Sequence, residues 1–463
     1  MSNRLYLGLA GLAVAISVFK VPRFPIGDPA LFEYYGKALL HGGALYAGNL
    51  IDNKLPSVYL INALWQALFG SNYFLHACAE AAVNLGSIAL FAAALRRAGI
   101  EAWALGALLF AVFLSLPFPY FDTVYHYAIF FVVLGIFLRF HDRDLWAGVS
   151  IAASTTFCFP AALTCVPILM QRPRPARIRF LAGFFGFAVL VALGMTAIFG
   201  PHVFVVLTKQ WQAYVAHVDW SEFSQHAVVL LASGMGAGIL AMLALLLLVV
   251  RRSASGAARF ALVWLACALG GFVISPQFVT DRFLLPSVPA FAMAIASYNP
   301  ALDDVKRRPI VAIVALALLL LTAINSARDA NKVGLYAEYV QSYGAWVRAS
   351  VGSGAPMFVH DWAPEVPLAA DALMLRRYDD AGRLVVPAST QLLVLGPFEI
   401  PDAARRGEDL TLPSGSRTIV LKRACPQAAD HALFLILYAV ASKADAFSCM
   451  DEPRAAAPRG RPD

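Results

Sequence analysis

Two carboxylates, a lysine and a proline-opened apolar run crowd into one stretch, Gly27 to Gly70, which reads GDPALFEYYGKALLHGGALYAGNLIDNKLPSVYLINALWQALFG. The acids are Asp28 and Asp52, the cation is Lys54, and Pro56 opens the run. A carboxylate facing a partly dry cleft can take a proton from a hydroxyl or amine nucleophile as a general base. An ammonium at headgroup level is a suitable point charge for a lipid phosphate. The stretch lies between the first and second apolar runs, and charge at a bilayer edge is costly and usually kept for a task. Each residue also has a plainer reading. Asp28 precedes Pro29, a good first helical residue, so it reads equally as the N-cap of a helix, Ala30 to Leu40, lying on the membrane surface. Lys54 reads equally as an interfacial lysine that snorkels.

A second acid, Asp122, ends the short segment Pro117-Phe-Pro-Tyr-Phe-Asp122 at the start of another apolar run. It too can be a cap. If the two loops share a side, Asp28 and Asp122 meet, and paired carboxylates in one cleft can share base, acceptor-orienting or divalent-metal-binding duties. Nothing in the sequence requires a metal. Arg282, in FVTDRFLLPSVPA, is a second candidate for a phosphate, or the partner of Asp281. Tyr34, Tyr35, Tyr46 and Tyr59 suit stacking on a sugar or anchoring at the interface. Residues 200–226 hold His202, Lys209, Trp211, His217, Asp219, Trp220, Glu222 and His226, an amphipathic patch suited to a lid or lipid portal.

These residues need elements to position them. The 463-residue chain is 60% hydrophobic and 14% charged, with a mean hydropathy of +0.67. That exceeds what a soluble domain uses. Apolar runs of about 17–25 residues recur through positions 1–325, the length that crosses a bilayer as a helix. Spans are expected near 4–20, 73–95, 102–118, 123–140, 180–199, 227–250, 259–275, 283–298 and 309–325: an all-α polytopic bundle of about nine spans. The first run lacks a small-residue cleavage site and reads as a retained span. The net charge of +7 does not point to nucleic acid, because most of the excess sits in short loops, where it sets orientation.

The stretch 145–170 is broken in its middle by Pro160 and has arginines before it (Arg139, Arg143) and after it (Arg172, Arg174, Arg177, Arg179). Both ends want the cytoplasm, which one straight helix cannot satisfy. Two short pieces meeting near Phe159-Pro160 can, with the break packed inside the bundle. With that hairpin, Arg96-Arg97, Arg251-Arg252-Arg259 and Lys306-Arg307-Arg308 fall inside. The loop 21–72, the loops 117–122, 200–226 and 276–282, and everything after 326 fall outside. The chemistry is therefore expected on the extracytoplasmic side.

Beyond the bundle, 326–452 reads as a small extracytoplasmic α/β cap. A helix is expected over Ala327 to Val351 with Leu335, Tyr339, Tyr343 and Trp346 on one face. Strands are expected at Pro356 to His360, Gln391 to Leu395 and Arg417 to Leu421. Ala432 to Ala441 is too short to span and reads as a buried or interfacial helix. Residues 453–463 read as a disordered tail. Cys78, Cys158, Cys165 and Cys267 read as small core residues. Cys425 and Cys449 are expected to form a disulfide if their region is extracytoplasmic.

The first-loop pattern resembles a known group. Asp28, Tyr35, Gly43-Ala44-Leu45-Tyr46, Asp52-Asn53-Lys54-Leu55-Pro56-Ser57-Val58-Tyr59 and Leu68-Phe69-Gly70 are similar to the GT-C glycosyltransferases of the bacterial protein-mannosyltransferase-like and aminoarabinose-transferase-like branch. Asp281 to Pro289 looks like that group's late span entry. Met357 to Glu365, with Arg376-Arg377-Tyr378, resembles an outer-domain strand. The resemblance implies inverting transfer of a hexosyl or pentosyl group from a polyprenyl-phosphate carrier to a lipid, glycan or protein acceptor outside a bacterial inner membrane. It implies Asp28 as base, Asp122 as second acid, and Lys54 with Arg282 on the carrier phosphate. Tyr35, Tyr46, Asp52 and Tyr59 would then line the substrate. The chain departs from the group's pattern at Asp28-Pro29, where many members have Asp-Glu, and at Lys54-Leu55-Pro56, where many have Lys-Pro-Pro.

The residues fit that implication. No nucleotide-cradling Gly-rich loop lies on the inner side, and a lipid-linked donor suits an outer-face site. Two other readings stay open: a transporter or flippase of a lipid-linked sugar, and a non-catalytic envelope scaffold. A transporter places ionisable groups near mid-membrane and often has two related halves. Here the acids cluster at one face and no repeat is visible.

Overall fold

The computed structural model describes residues 3–46, 50, 54–115, 123–216, 243, 246, 256–274, 285–297, 308–360, 365–375, 389–395, 409–414, 417–423 and 436–440. Asp52, Asp122, Arg282, Cys425, Cys449 and the tail 453–463 lie outside the described residues.

The helices are α1 (Asn3–Lys20), α2 (Asp28–Leu40), α3 (Ser57–Phe69), α4 (Tyr73–Arg97), α5 (Trp103–Ser115), α6 (Thr123–Phe140), α7 (Asp144–Thr155), α8 (Cys165–Gln171), α9 (Arg174–Phe199), α10 (His202–Ala216), α11 (Gly256–Ile274), α12 (Val288–Ser297), α13 (Arg308–Val351) and α14 (Glu365–Ala370). Among the described residues, α4 and α9 are each long and apolar enough to cross a membrane. Ile178, Phe185, Val189, Leu190, Leu193 and Ile198 of α9 are all exposed. A continuous apolar face of this kind belongs against hydrocarbon, not water. By contrast α12 is buried along nearly its whole length, wedged beside α5 and α11.

The stretch 145–170 breaks near its proline. Helix α7 ends at Thr155, and a 3₁₀ segment, Phe159–Thr164, carries the chain into α8. The two ends come back together. Arg172 Nε donates to Asp144 Oδ1 at 2.8 Å, and Arg172 Nη2 donates to the Arg139 carbonyl at 2.7 Å. Arg172 also pairs with Asp142, and Arg179 with Asp144. Asp144 is buried, and a buried carboxylate needs such partners.

Helix α9 then packs on α7 through small residues. A methyl group at Gly148 would drive into the Phe180 carbonyl, and one at Gly183 into the Leu145 carbonyl. The helices touch backbone to backbone, as small-residue interfaces in membranes allow.

Helix α13 runs unbroken from Arg308 to Val351, about 66 Å at 1.5 Å per residue. The expected boundary at 325–326 is therefore not a break; Ile324-Asn325-Ser326-Ala327 contains no proline or glycine to end a helix. Its inward face beyond that point is Ala337, Val340, Tyr343 and Val347, while Leu335 is 61% exposed. The residues expected to share one face are thus unequally buried, with Tyr343 inside and Leu335 outside. Gly344 is the contact point: a side chain there would strike Ala369 of α14.

The strands are β1 (Pro356–His360), β2 (Leu373–Leu375), β3 (Leu392–Leu395), β4 (Leu410–Ser414), β5 (Arg417–Arg423) and β6 (Ile436–Val440). They form one sheet in the order β2-β1-β3-β6-β5-β4. β1 is parallel to both β2 and β3; the other pairs are antiparallel. The apolar run expected as a helix over 432–441 is strand β6. It is paired on both sides, by β3 and β5. A short continuous apolar run fits a central strand as well as a buried helix, and periodicity alone does not separate them.

Replacing Gly183 with Ala should force α7 and α9 apart and cost about 1–3 kcal/mol, the range for overpacking a close contact. Thermal unfolding in micelles should show a lower midpoint for G183A and for G148A, and no change for alanine at exposed Gly186.

Candidate functional site

Helix α2 carries the first candidate acid, and its packing decides where that acid sits. Gly27, at φ +65°, turns the chain into the helix. Gly27 is the N-cap, and Asp28 is the first helical residue. The expectation that Asp28 is the cap is thus corrected: a residue with positive φ is needed at the turn, and glycine supplies it without strain.

Nor does α2 lie free on a surface. Ala30 to Gly36 are buried. One side packs on α3, where a Cβ at Gly36 would stand 2.8 Å from the Ala63 nitrogen. The other side meets the C-terminal unit. Tyr34 Oη donates to the Ala372 carbonyl at 3.3 Å and accepts the Met374 N–H at 2.7 Å. Lys37 Nζ lies 2.6 Å from Asp371 Oδ1. The Gly27 N–H donates to Glu365 Oε2 at 3.2 Å, and Tyr336 Oη donates to Glu365 Oε1 at 2.8 Å.

Lys54 comes to the same face of α2. Its Nζ stands 5.3 Å over the Phe32 ring. Phe32 follows Asp28 by four residues, and such pairs are neighbours on a helix. The ammonium therefore lies on the Asp28 side of α2. Its backbone is tied down by Tyr46, whose hydroxyl donates to the Lys54 carbonyl at 2.7 Å. Tyr46 has φ +61°, its N–H bonds the Leu50 carbonyl at 2.7 Å, and its ring packs edge-on to Phe199.

The tyrosines proposed to line a substrate are packing residues. Tyr35 and Tyr59 have no exposed surface. Their rings are 5.0 Å apart, and Phe32 packs on Tyr59. Tyr46 is 2% exposed and fixes Lys54. Aromatic spacing on a short amphipathic helix describes a core as well as a sugar platform, and here the three rings are buried.

Beside Leu55, the neighbour of Lys54, a cavity of about 740 Å³ opens. Thr155, Thr156 and Phe159 of the α7 break form one wall; Val191 and Met195 of α9 and Phe204 and Leu207 of α10 form the others. The helix in the amphipathic patch thus walls a cavity. His217, Asp219, Trp220, Glu222 and His226 lie outside the described residues. Ser57 Oγ donates to Thr156 Oγ1 at 2.9 Å, which joins the start of α3 to the cavity wall.

Two groups escaped the sequence reading. Glu33, buried, contacts His76 Nδ1 at 2.5 Å and Gln66 Nε2, and so locks α2 to α3 and α4. A glutamate in the aromatic run Phe32-Glu33-Tyr34-Tyr35 was the available signal. Glu365 is the other. Burial pushes its carboxyl above the ordinary carboxylate range, and the Asp28 charge adds to the push. Among the described residues no three His, Cys, Asp or Glu side chains are grouped to hold a metal ion.

No protein-family model matches the chain, and no curated protein matches it in sequence. Solved structures do match. The crystal structure of ArnT from Cupriavidus metallidurans bound to undecaprenyl phosphate aligns over 95% of this chain and 98% of its own, at 13% identity and a TM-score of 0.61. The apo structure of the same protein aligns over 96% and 98%, at 14% identity and 0.59. The mycobacterial arabinofuranosyltransferase AftD aligns over 95% of this chain and 40% of its own, at 16% identity and 0.48. The chain shares the fold of ArnT along nearly its whole length.

The Lys37 ammonium, through its hydrogen bond, holds the Asp371 carboxyl below its usual value of 3.8. A depressed folded value means the tie stabilises docking above about pH 3.8 and loses that contribution as pH falls through the lower folded value. Both partners are about two-fifths exposed, so the effect stays within about 1 kcal/mol. The unfolding midpoint of D371N should sit below wild type at pH 7, and the gap should narrow and close as pH falls below 3.8.

Proposed function

We propose that this chain is a membrane glycosyltransferase that moves a sugar from a polyprenyl-phosphate carrier to an envelope acceptor on the extracytoplasmic side. The observation that carries the reading is one juxtaposition. A lysine ammonium stands over Phe32, one helical turn after Asp28 on α2, and the next residue, Leu55, lines a largely apolar cavity. That pairing suits a phosphate with an isoprenoid tail, and the fold is one in which ArnT holds undecaprenyl phosphate.

The reaction is a single displacement. An acceptor hydroxyl or amine attacks the anomeric carbon as the bond from that carbon to the phosphate oxygen breaks. The acceptor proton passes to Asp28. The carrier leaves as polyprenyl phosphate, and Lys54 offsets the charge that develops on it. Direct attack inverts the anomeric centre. Asp122 as second acid, Arg282 as second phosphate contact and Asp52 as a donor-side residue are parts of the proposal that the first-loop and late-span patterns support. The nine-span topology, the outward orientation and the cap over 326–452 rest on the loop charges. The donor sugar, hexose or pentose, is left to experiment.

Full-length protein in vesicles, given undecaprenyl-phosphate-linked hexoses and pentoses with envelope extract, should release undecaprenyl phosphate and label an acceptor. D28N should lower transfer by about 10²–10⁴-fold, the usual worth of a general base. K54A should lower it by about 10²-fold. Wild-type transfer in D28N would refute the assignment, and movement of intact carrier between leaflets with no bond broken would favour a transporter.

A further inference from the structure

Helix α2 begins without a side-chain cap from its N-cap residue. Its N-cap, Gly27, has no side chain, and the third helical position is Ala30. In a capping box that third position is a glutamate or glutamine whose side chain reaches back to the N-cap N–H. Here a glutamate does reach the Gly27 N–H, but from the C-terminal unit, 338 residues away. Glu365 is 2% exposed, and both its oxygens are engaged: Oε2 with Gly27, Oε1 with Tyr336 on α13. A carboxylate offers two acceptor oxygens where a side-chain amide offers one. That accounts for an acid at a buried position an amide would occupy at less desolvation cost.

The residue after Gly27 is Asp28. The other ties between α2 and the C-terminal unit lie further along the helix, at Tyr34 and Lys37. Of these ties to the C-terminal unit, the Glu365 bond is the one at the turn that carries the acid.

We infer that Glu365 is a positioning residue for Asp28, and that it closes the capping box of α2 from the C-terminal unit so that the acid is correctly placed only when that unit is docked. This rests on the reading of Asp28 as the base. Asp28 is then set by a long-range contact, and Lys54 by a separate one through Tyr46. Loss of Glu365 should displace the acid and leave the phosphate contact in place.

The test uses full-length protein in vesicles with undecaprenyl phosphate as the binding probe. In E365A, amide exchange over Gly27 to Phe32 should quicken about tenfold, with α4 unchanged. Undecaprenyl phosphate should bind as in wild type. Transfer from whichever lipid-linked sugar the wild type consumes should fall by about 10²-fold in kcat, the scale of a misplacement near 1 Å, with little change in KM. E365Q keeps one acceptor and should recover part of the rate. Y336F, which removes one hydroxyl and keeps the fold if E365A does not, should lie between wild type and E365A. Unchanged exchange at Gly27 to Phe32, or full transfer in E365A, would overturn the inference. So would equal loss of undecaprenyl phosphate binding and transfer, which marks a general structural role. If D28N transfers normally while E365A still loosens the first turn, the base assignment fails and the capping contact stands.

Discussion

The site depends on the burial of α2 between two unlike neighbours. A 13-residue helix is marginal by itself, because nucleation is costly and few internal bonds repay it. Its stability must come from packing. Gly36 lets α3 approach on one side, and Tyr34, Lys37 and the Glu365 bond hold the C-terminal unit on the other. Glu33, His76 and Gln66 add a buried polar tie to α3 and α4. The acid-bearing turn is thus fixed from the bundle and from the sheet at once, although the chain segments involved are more than three hundred positions apart.

That constraint explains which features were legible beforehand. Local signals were sufficient for the break in 145–170: a proline inside an apolar run, with arginines at both ends, leaves few arrangements. The chain does reverse there, and Arg172 returns to Asp144. Strands β1, β3 and β5 were legible for the same reason, as short apolar runs between turn residues. What failed required partners. The β6 run looks helical until it is seen between two strands. The inward face of α13 misses Leu335 because the docking point is set by Gly344 against Ala369, a contact no periodicity reveals. Tyr35 and Tyr59 read as a sugar platform because an aromatic has the same type in a core as in a cleft.

The candidate site shows the same division. Asp28, Lys54 and the proline-opened α3 stood out by charge next to hydrocarbon. Glu365 did not, although it lies in a segment whose pattern resembled an outer-domain strand. Its meaning comes from which N–H it meets, and that meeting is made by the fold. Glu33 likewise passed as one charge on an amphipathic helix, and only its burial against His76 distinguishes it.

Charge and hydrocarbon are kept apart along the helices that bound the apolar cavity. Next to Leu55, which lines it, Lys54 stands over Phe32 of α2, the helix that opens with the half-buried Asp28. Along α7 and α9, which supply other lining residues, the backbones meet through Gly148 and Gly183, and the charges are gathered into the Arg172 and Asp144 cluster. The cavity itself is lined mainly by apolar side chains, with Thr155, Thr156, Thr208 and Gln212 among them. The described lining carries no cation, so in the proposed reaction a phosphate at Lys54 keeps its apolar tail in the cavity and its reacting carbon toward Asp28. In the proposed reaction the direction of the donor follows from this separation of charge from hydrocarbon, with α2 held by the C-terminal unit.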